Sequence, residues 1–399
     1  MKVRSAVLAE MGLPTPYADS QPLEIRGLEL DPPGRGEILI KVGAAGICHS
    51  DLSVVDGSRP RVMPMALGHE AAGEVVELGE GVDSLAVGDH VVLAFVPACG
   101  DCDPCRRGRA ALCEPGAEAN AAGTLLSGGI RLSDARGGAP GEGGSSDGGP
   151  GGSGAPDGGG RPIHHHLGVS AFSDHIVCSQ RSAVRVDPEL PFEVAALFGC
   201  AVLTGVGAAV RSARVAPGES VAIFGLGGVG LASLMGAKLA GAERIIGIDL
   251  VADKLELARE LGATETVAAS PDAVEEVRKL TGGGVDHAIE TVGSAAVLGD
   301  AYAATRRGGT TVTVGLPHPS QMLELSAVSL VAEERVLRGS YLGSCVPAID
   351  IPRFVSLYLA GKLPVDRLLT HTLPLEQINE GFDRLAAGEA ARQAILFDG

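Results

Sequence analysis

The stretch SVAIFGLGGVGLASLMGAKLAGAERIIGID, residues 220–249, decides the fold of this chain. Its apolar start, residues 220–224, has the length of a strand and runs into G-x-G-x-x-G, which opens a helical pattern. A second strand-like run ends at Asp249, about twenty residues beyond the glycines. G-x-G-x-x-G alone is weak evidence in a chain with 58 glycines. A strand before it, a helix after it and an acidic residue closing the next strand together predict a dinucleotide-binding βαβ unit.

Each residue of this motif has a physical role in the prediction. Gly225 permits the tight turn, Gly227 lets the backbone approach a pyrophosphate, and Gly230 allows close packing of helix on strand. Free N–H groups at the helix start hold the anion. Asp249 would accept hydrogen bonds from the adenosine ribose and repel a 2′-phosphate, which favours NAD over NADP, and Lys254 could reach the same ribose. The predicted cofactor contacts here are Gly225, Gly227, Gly228, Val229, Gly230, Asp249 and Lys254.

The pattern around the motif extends the same architecture from residue 200 to residue 341. Helical segments such as residues 254–261, ended by Gly262, separate apolar runs of strand length. Strands that alternate with helices predict an α/β fold, a doubly wound parallel sheet of the Rossmann type with helices on both faces. The predicted strands are 220–224, 244–249, 286–291 and 310–316.

The N-terminal half has a different texture, in which short β segments alternate with Gly and Pro. These segments include residues 37–42, 73–78 and 88–93, and they predict a mainly β, partly barrel-like domain over residues 1–199. Residues 137–160 are almost entirely Gly, Ser, Pro, Ala and Asp, so we expect a flexible surface insertion in this domain. Residues 342–399 are predicted to return to it and complete it.

Composition limits the possible partners. The 399 residues, 45% of them hydrophobic, are enough for two domains with sizeable cores. A net charge of −17, only 3% aromatic residues and no Trp argue against a nucleic-acid partner. No run approaches the roughly 20 apolar residues of a membrane span, and the start carries no cleavage signature. We therefore expect a cytoplasmic protein without a membrane partner.

Four cysteines crowd into a short segment with the spacing C-x2-C-x2-C-x7-C. Four thiolates at this spacing can close a tetrahedral zinc site from one loop, and four protein ligands leave no open position, so the site would be structural. An iron–sulfur cluster or redox-active cysteines are the alternatives, although bacterial iron–sulfur runs have a shorter last gap. The predicted ligands are Cys99, Cys102, Cys105 and Cys113.

Several stretches along nearly the whole chain are similar to the zinc-dependent medium-chain alcohol dehydrogenases. Besides the cysteine quartet they are GICHSD (46–51), GHEAAGEVVELGEGV (68–82), FGCAVLTGVGAAV (198–210), GLGGVG (225–230) and HTLPLEQINEGFDRL (371–385). The resemblance implies that the first domain is a GroES-like catalytic domain. It also implies that Cys48, His69 and Cys200, which spacing alone would not assemble, bind a catalytic zinc with an open fourth position. The chain would then hold two Zn²⁺ and transfer a hydride between an alcohol and NAD.

The resemblance also implies roles for residues around the catalytic zinc. Ser50 would accept the substrate proton, Asp51 would orient His69, and Glu70 would lie behind the metal and help ligand exchange. Many relatives have a histidine where this chain has Ser53, so the proton relay would end at a water or another residue.

Three further residues are implied to contact the cofactor: His49 and Arg392 at the pyrophosphate, and Thr204 near the nicotinamide. The run at residues 164–166 suggests a metal site, but in this family a similar run precedes a strand without binding metal. We therefore expect no ligands there.

Two alternative functions stay open. One is a thiol-dependent formaldehyde dehydrogenase of the same fold, which oxidises an S-hydroxymethyl adduct. Residues 51–59 lack the acidic-Pro-Glu-Gly stretch that resembles a glutathione site, which disfavours glutathione but not another small thiol. The other is a non-catalytic nucleotide-binding protein. The resemblance further implies a homodimer or homotetramer formed near residues 310–316, and the particular alcohol or aldehyde is not predicted.

Overall fold

The computed structural model describes residues 1–134 and 160–397, and the predicted insertion at 137–160 lies outside these ranges except for its last residue. The chain forms two compact units. Among the described residues, the first comprises 1–134, 160–199, 372–386 and 394–397, and the second comprises 200–371 and 387–393.

The return to the first unit begins at residue 372, later than the predicted start at 342. Residues 342–371 belong to the second unit because side chains at their start bond to a helical segment of that unit. The hydroxyls of Ser212 and Ser344 are 3.1 Å apart, and Arg211 forms an ion pair with the buried carboxylate of Asp350.

The first unit is mainly β, as its alternation of short apolar runs and turns predicts. Its strands before residue 200 are β1 (Lys2–Leu8), β2 (Leu23–Leu30), β3 (Glu37–Ile47), β4 (Met65–Ala66), β5 (Ala71–Leu78), β6 (His90–Leu93), β7 (Leu132–Asp134), β8 (Arg161–His165), β9 (His175–Ser179) and β10 (Ala183–Arg185). Its helices in the same range are α1 (Tyr17–Ser20), α2 (His49–Val55), α3 (Asp103–Arg106), α4 (Glu114–Ala122) and α5 (Phe192–Ala195).

The second unit alternates strands and helices. Its helices are α6 (Ala201–Gly207), α7 (Gly228–Leu239), α8 (Ala252–Leu261), α9 (Ala273–Thr281), α10 (Ala295–Ala304), α11 (Ala327–Ala332) and α12 (Pro347–Leu359). Its strands are β11 (Ser220–Phe224), β12 (Arg244–Asp249), β13 (Glu265–Ala268), β14 (Val285–Glu290), β15 (Thr305–Thr313) and β16 (Val336–Gly339). The chain ends with β17 (Leu369–Pro374), α13 (Ile378–Ala386) and β18 (Arg392–Leu396).

Two sheets organise the first unit. Strands β1, β2, β7, β8 and β4 close a barrel, and a seven-stranded sheet runs β10-β6-β5-β3-β18-β17 with β9 also paired to β3. The centre of this sheet is β3, whose sequence EILIKVGAAGI is buried at almost every position because other elements cover both faces. A core that includes Ile38, Ile40 and Phe172 therefore fixes the end of β3, where the candidate site begins.

The second unit is built on one parallel sheet in the order β13-β12-β11-β14-β15-β16. This is the 3-2-1-4-5-6 order of dinucleotide-binding domains, in which ligands bind where the strand order reverses, outside the carboxyl ends of the strands. The predicted fold class, a Rossmann-type parallel sheet plus a mainly β domain, is confirmed.

Among the described residues, no single helix combines the length and apolar character of a membrane span. One pair of helical segments, residues 192–199 and 201–213, meets those criteria of length and composition only when joined across a 50° bend.

Candidate active site

The first unit places Cys48 and His69 at the ends of buried strands. β3 ends at Ile47 and α2 begins at His49, so Cys48 lies at the helix N-cap in an extended conformation, only 6% exposed. His69 follows Gly68, which turns the chain with φ +94°. A Cβ at Gly68 would lie 2.5 Å from the backbone nitrogen of Phe172, so only glycine fits the turn that delivers His69.

A buried carboxylate holds the ring of His69. Nδ1 of His69 is 3.0 Å from Oδ1 of Asp51, which also accepts the N–H of Gly68 at 3.2 Å. An ionised carboxylate only accepts, so Nδ1 keeps its proton, and Nε2 is the nitrogen that presents a lone pair when the ring is neutral. Nε2 is buried and has no hydrogen-bond partner among the described residues, which is the unsatisfied atom that a metal ion would coordinate.

The charges of this pair reinforce each other. Burial disfavours the imidazolium, but the neighbouring Asp51 and Cys48 together outweigh burial and raise the pKa of His69 well above its ordinary value, so Nε2 must lose its proton before it can bind a metal ion. Burial likewise disfavours the Asp51 carboxylate, but His69 and His166 outweigh it and lower the pKa of Asp51. Asp51 is therefore ionised and positioned to orient His69, the role that the resemblance implies.

Cys200 completes the ligand set. It is joined by its peptide bond to Gly199, the last residue of the first unit before the chain leaves it. Gly199 passes so close to β6 that a Cβ there would lie 2.1 Å from the carbonyl oxygen of Leu93. The sulfur atoms of Cys48 and Cys200 and one ring nitrogen of His69 all lie within 4.8 Å of one another, and all three residues are buried. Two thiols and an imidazole suit zinc, and three protein ligands leave one coordination position open.

The cysteine quartet forms a second cluster in the same unit. Its four sulfur atoms lie within 4.8 Å of one another. Backbone N–H groups point at the sulfurs: that of Cys99 lies 3.2 Å from Sγ of Cys113, and that of Cys102 lies 3.3 Å from Sγ of Cys99. Burial opposes ionisation of Cys99, but the N–H groups of Cys102 and Asp101 lower its pKa to about 7, whereas burial raises the pKa of Cys105 to about 12. Four convergent sulfurs with N–H donors around them fit a structural tetrahedral zinc site.

The glycine motif lies at the carboxyl end of β11, as predicted. Gly225 has φ +91°, and α7 begins at Gly228. A Cβ at Gly230 would lie 1.8 Å from the carbonyl oxygen of Gly225, so helix and turn pack too closely for any side chain. A Cβ at Gly227 would have nothing within 4 Å in the part of the chain that the structure describes, so its backbone is open to a ligand. This cradle fits a dinucleotide pyrophosphate.

Asp249 ends β12, and both of its oxygens are fixed. Oδ2 accepts the N–H of Leu226 at 2.7 Å, and Oδ1 accepts the N–H of Val251 at 2.9 Å. Backbone N–H groups, one of them in the glycine turn itself, therefore hold the Asp249 side chain beside the motif. This is the position that the ribose argument requires.

The other predicted site residues lie as follows. His49 is exposed and Ser50 is half-buried in the first turn of α2, and Lys254 is half-buried in α8. Thr204 is buried in α6. The side chain of Arg392 lies against the motif, since a Cβ at Gly228 would come within 2.2 Å of its Nε. Glu70 is fully buried, and its Oε1 would lie 2.3 Å from a Cβ at Gly46.

Two groups near these sites were not predicted. In the second unit, buried Glu290 accepts the N–H of Gly293 at 2.6 Å and the hydroxyl of Thr313 at 2.7 Å, and so braces the loops that follow β14 and β15. Next to it, the hydroxyl of Thr291 donates to the carbonyl oxygen of Gly225 at 2.8 Å. An acidic residue at the end of an apolar strand was the available signal for Glu290.

The second unpredicted group is His166, from the run that we expected to have no metal role. Its Nδ1 lies 3.1 Å from Oδ1 of Asp51, in the first unit. Its neighbour His165 is also fully buried, and burial lowers the pKa of His165 to about 3. His166 therefore adjoins the carboxylate that orients His69.

Comparison with known proteins agrees with this geometry. A family model described as "Alcohol dehydrogenase GroES-like domain" matches residues 34–138, and one described as "Zinc-binding dehydrogenase" matches residues 228–359. The solved structure of an alcohol dehydrogenase zinc-binding domain protein from Burkholderia ambifaria is 35% identical, with a TM-score of 0.88 over 100% of both chains. The chain belongs to the zinc-dependent medium-chain dehydrogenase/reductase family.

Other members of the family are also similar to this dehydrogenase. Benzyl alcohol dehydrogenase from Acinetobacter calcoaceticus is 30% identical over 100% of both chains, with a TM-score of 0.85. A putative zinc-binding dehydrogenase from Sinorhizobium meliloti 1021, solved with NADP bound, is 24% identical over 100% of both chains with a TM-score of 0.74, a likeness of fold. The GroES-like and Rossmann-type predictions are confirmed, and the protein is an oxidoreductase of the zinc-dependent dehydrogenase family.

Proposed function

We propose that this dehydrogenase interconverts a primary or secondary alcohol and its aldehyde or ketone, with NAD as the hydride carrier and two zinc ions per chain. The observation that carries the proposal is the buried set Cys48, His69 and Cys200, with the lone pair of His69 Nε2 unsatisfied among the described residues. A zinc ion held there would supply a Lewis acid with one open position, and the nicotinamide would supply the hydride chemistry.

The chain's own residues would orient the reactants and move the proton. Asp51 keeps the proton of His69 on Nδ1, so that Nε2 remains a ligand. Ser50, one residue before Asp51 in the first turn of α2, would take the proton of the alcohol at its Oγ. The hydroxyl of Ser53 donates to the carbonyl oxygen of His49 at 2.7 Å. Because the hydroxyl proton of Ser53 is already in this hydrogen bond, we propose that the proton relay passes from Ser50 to water and not through Ser53.

The experiment that tests the proposal is NADH formation with a panel of alcohols on the zinc-loaded protein. The panel includes benzyl alcohol, because an aromatic-alcohol enzyme is among the relatives. We expect turnover without added thiol and its loss after chelation. Turnover only when formaldehyde and a small thiol are supplied together would replace the proposal with the adduct dehydrogenase. Zinc-loaded protein that oxidises neither alcohols nor adducts would favour a non-catalytic nucleotide-binding role.

Preference for NAD over NADP is attributed to Asp249. A carboxylate about 5 Å from a 2′-phosphate repels it by roughly 1–3 kcal/mol at an effective dielectric constant between 80 and 20. We expect Asp249→Ser, which keeps an acceptor oxygen but removes the charge, to raise the NADP to NAD ratio of kcat/KM about tenfold to a hundredfold. The matched control is Asp253→Ser, the same change at an exposed residue of α8. An equal shift in both variants would assign the effect to net charge alone.

We also propose that a second copy of the chain covers the edge of the parallel sheet. β16 is the outermost strand, and α11, with the apolar sequence AVSLVA, has no buried residue. Val328 is 69% exposed, Val331 80% and Val336 40%. An unpaired edge beside exposed apolar side chains is the usual setting of a two-fold interface. A monomeric mass in light scattering at micromolar concentration would contradict it, and a dimer and a tetramer both agree with it.

For the location of the chain in the cell, we propose the cytoplasm, where thiols stay reduced. None of the eight cysteines, all of which the structure describes, forms a disulfide. Six of them belong to the two proposed zinc ligand sets, and Cys178 and Cys345 are buried. Labelling of thiols in intact cells before and after reduction tests this, since oxidised quartet cysteines would contradict it.

A further inference from the structure

The carboxylate that orients His69 has a second imidazole beside it. His166 is 1% exposed, and its ring lies 5.7 Å from that of His69 between centroids, at an interplanar angle of 88°. Oδ1 of Asp51 has hydrogen bonds with the backbone N–H of Gly68 and the ring N–H of His69, and Nδ1 of His166 lies 3.1 Å from the same oxygen. The other oxygen, Oδ2, is buried and has no hydrogen-bond partner within residues 1–134 and 160–397. The orientation of Asp51 therefore depends on what surrounds Oδ1.

The chemistry of Asp51 fixes the role of His166 in this contact. The ionised carboxylate can only accept, so the proton of His166 belongs on Nδ1. Nδ1 of His166 makes no hydrogen bond with acceptable angles to any described residue. Its N–H therefore points less directly at Oδ1 than the N–H of His69 does. The attraction between His166 and Asp51 is therefore that between an N–H dipole and a negative charge, with Nδ1 and Oδ1 3.1 Å apart.

The backbone holds His166 in this place at the expense of an unfavourable conformation. Leu167 and Ser170 have φ of 51° and 54°, in the left-handed region that bulky side chains rarely adopt. The Ser170 hydroxyl accepts the N–H of His166 at 3.1 Å, and the carbonyl oxygen of His166 accepts the N–H of Val169 at 3.1 Å and that of Ser170 at 3.2 Å. Such strain persists where the surroundings over-determine a conformation, often beside functional groups. The turn therefore presents the His166 ring to Asp51 rigidly.

We propose that His166 is a positioning residue for the catalytic metal, which holds the Asp51 carboxylate in the orientation that keeps the Nε2 lone pair of His69 directed at the ligand set. Without His166, Oδ1 keeps its two hydrogen bonds but loses this attraction, and Asp51 rotates more readily to exchange Oδ1 for the unsatisfied Oδ2. His69 then loses alignment, and zinc leaves the Cys48, His69 and Cys200 set faster. This inference rests on the zinc site of the proposed function.

The test compares replacements that differ in the donor. In His166→Asn the amide nitrogen can take the place of Nδ1, whereas His166→Leu has similar branching without a donor, and both delete the ring. His166→Phe keeps a ring without a donor and guards against failure of the leucine variant to fold. The measurement is the rate at which zinc passes to an excess of a colorimetric chelator, with the quartet's zinc as the internal reference.

We expect His166→Leu and His166→Phe to release the catalytic zinc about tenfold faster than wild type, the lower end of the effect of losing a direct partner of a metal ligand, because His166 acts on that partner and not on the ligand. His166→Asn should stay within about threefold of wild type, because it retains the N–H. The cobalt-substituted protein should show the same division in its visible absorption bands. Equal rates in the asparagine and leucine variants, or no acceleration with leucine and phenylalanine, would overturn the inference and leave His166 a packing residue.

The outcomes separate this inference from the proposed function, because zinc release needs no alcohol turnover. A protein that binds both zinc ions and shows the donor-dependent rates but oxidises no alcohol would overturn the proposed function alone. A wild-type chain that binds only the quartet's zinc would overturn both.

Discussion

Replacement of Cys48 by alanine is expected to lower kcat/KM for alcohol oxidation by about a thousandfold or more while the protein stays folded. A metal acting as Lewis acid contributes several kcal/mol to the transition state, and about 4 kcal/mol corresponds to roughly a thousandfold in rate. Cys48 makes no side-chain capping bond to α2, so alanine removes a metal ligand without removing a helix cap. Metal analysis should show one zinc lost and the quartet's zinc retained.

Cys178→Ala provides the matched control. Cys178 is fully buried in β9, and burial raises the pKa of its thiol, so it is an inert core residue outside both sulfur clusters. We expect this variant to keep both zinc ions and its kcat/KM within a few-fold of wild type, while it is destabilised by about 1 kcal/mol. A comparable loss of activity in both alanine variants would mean that core packing, not metal binding, explains the Cys48 result.

The sequence predicted best those features whose residues are neighbours along the chain. The glycine motif with Asp249, and the quartet at residues 99–113, are local patterns in which one turn or one loop brings every group together. The catalytic ligand set depends on three separate places in the chain: Cys48 follows the end of β3, His69 follows β4, and Cys200 follows the last residue of the first unit before residue 200. The spacing of these residues in the sequence therefore carries no periodic signal. Only the resemblance to a family grouped them, and their assembly depends on the packing of the sheet.

His166 and Glu290 escaped prediction for a related reason. Each is a buried polar residue whose role depends on a partner that is distant in sequence. The partner of His166 is Asp51, and the partner of Glu290 is Thr313. The resemblance implied that the run at residues 164–166 precedes a strand without binding metal, and a resemblance of this kind does not say which of the side chains meets a carboxylate. The bounds of β15 also differ from the predicted 310–316, because the strand begins at Thr305 and ends at Thr313. Burial of polar groups is decided by tertiary packing, which local patterns do not contain.

We expect loss of the quartet's zinc to affect the stability of the protein, whereas loss of the zinc at Cys48, His69 and Cys200 affects the rate of alcohol oxidation. We expect Cys113→Ser to lose the structural zinc and to lower the thermal unfolding midpoint by roughly 10 °C. Structural zinc sites contribute on the order of 10 kcal/mol in small peptides. Here local unfolding of residues 99–122 limits the loss to about 3–5 kcal/mol, and each kcal/mol shifts the midpoint by about 2–4 °C in a domain of this size.

Serine is the sharper replacement at this position because Cys113 also caps a helix. Its sulfur accepts the N–H of Gly116 at the start of α4, and a serine hydroxyl is a good N-cap, so the change isolates the metal from the cap. Limited proteolysis should cut first within residues 99–122. Below the new midpoint, activity per catalytic zinc should stay within a few-fold of wild type, the converse of Cys48→Ala. An unchanged midpoint with the zinc lost would show that the quartet does not support the fold, and an activity loss as large as that of Cys48→Ala would show that its role is not structural alone.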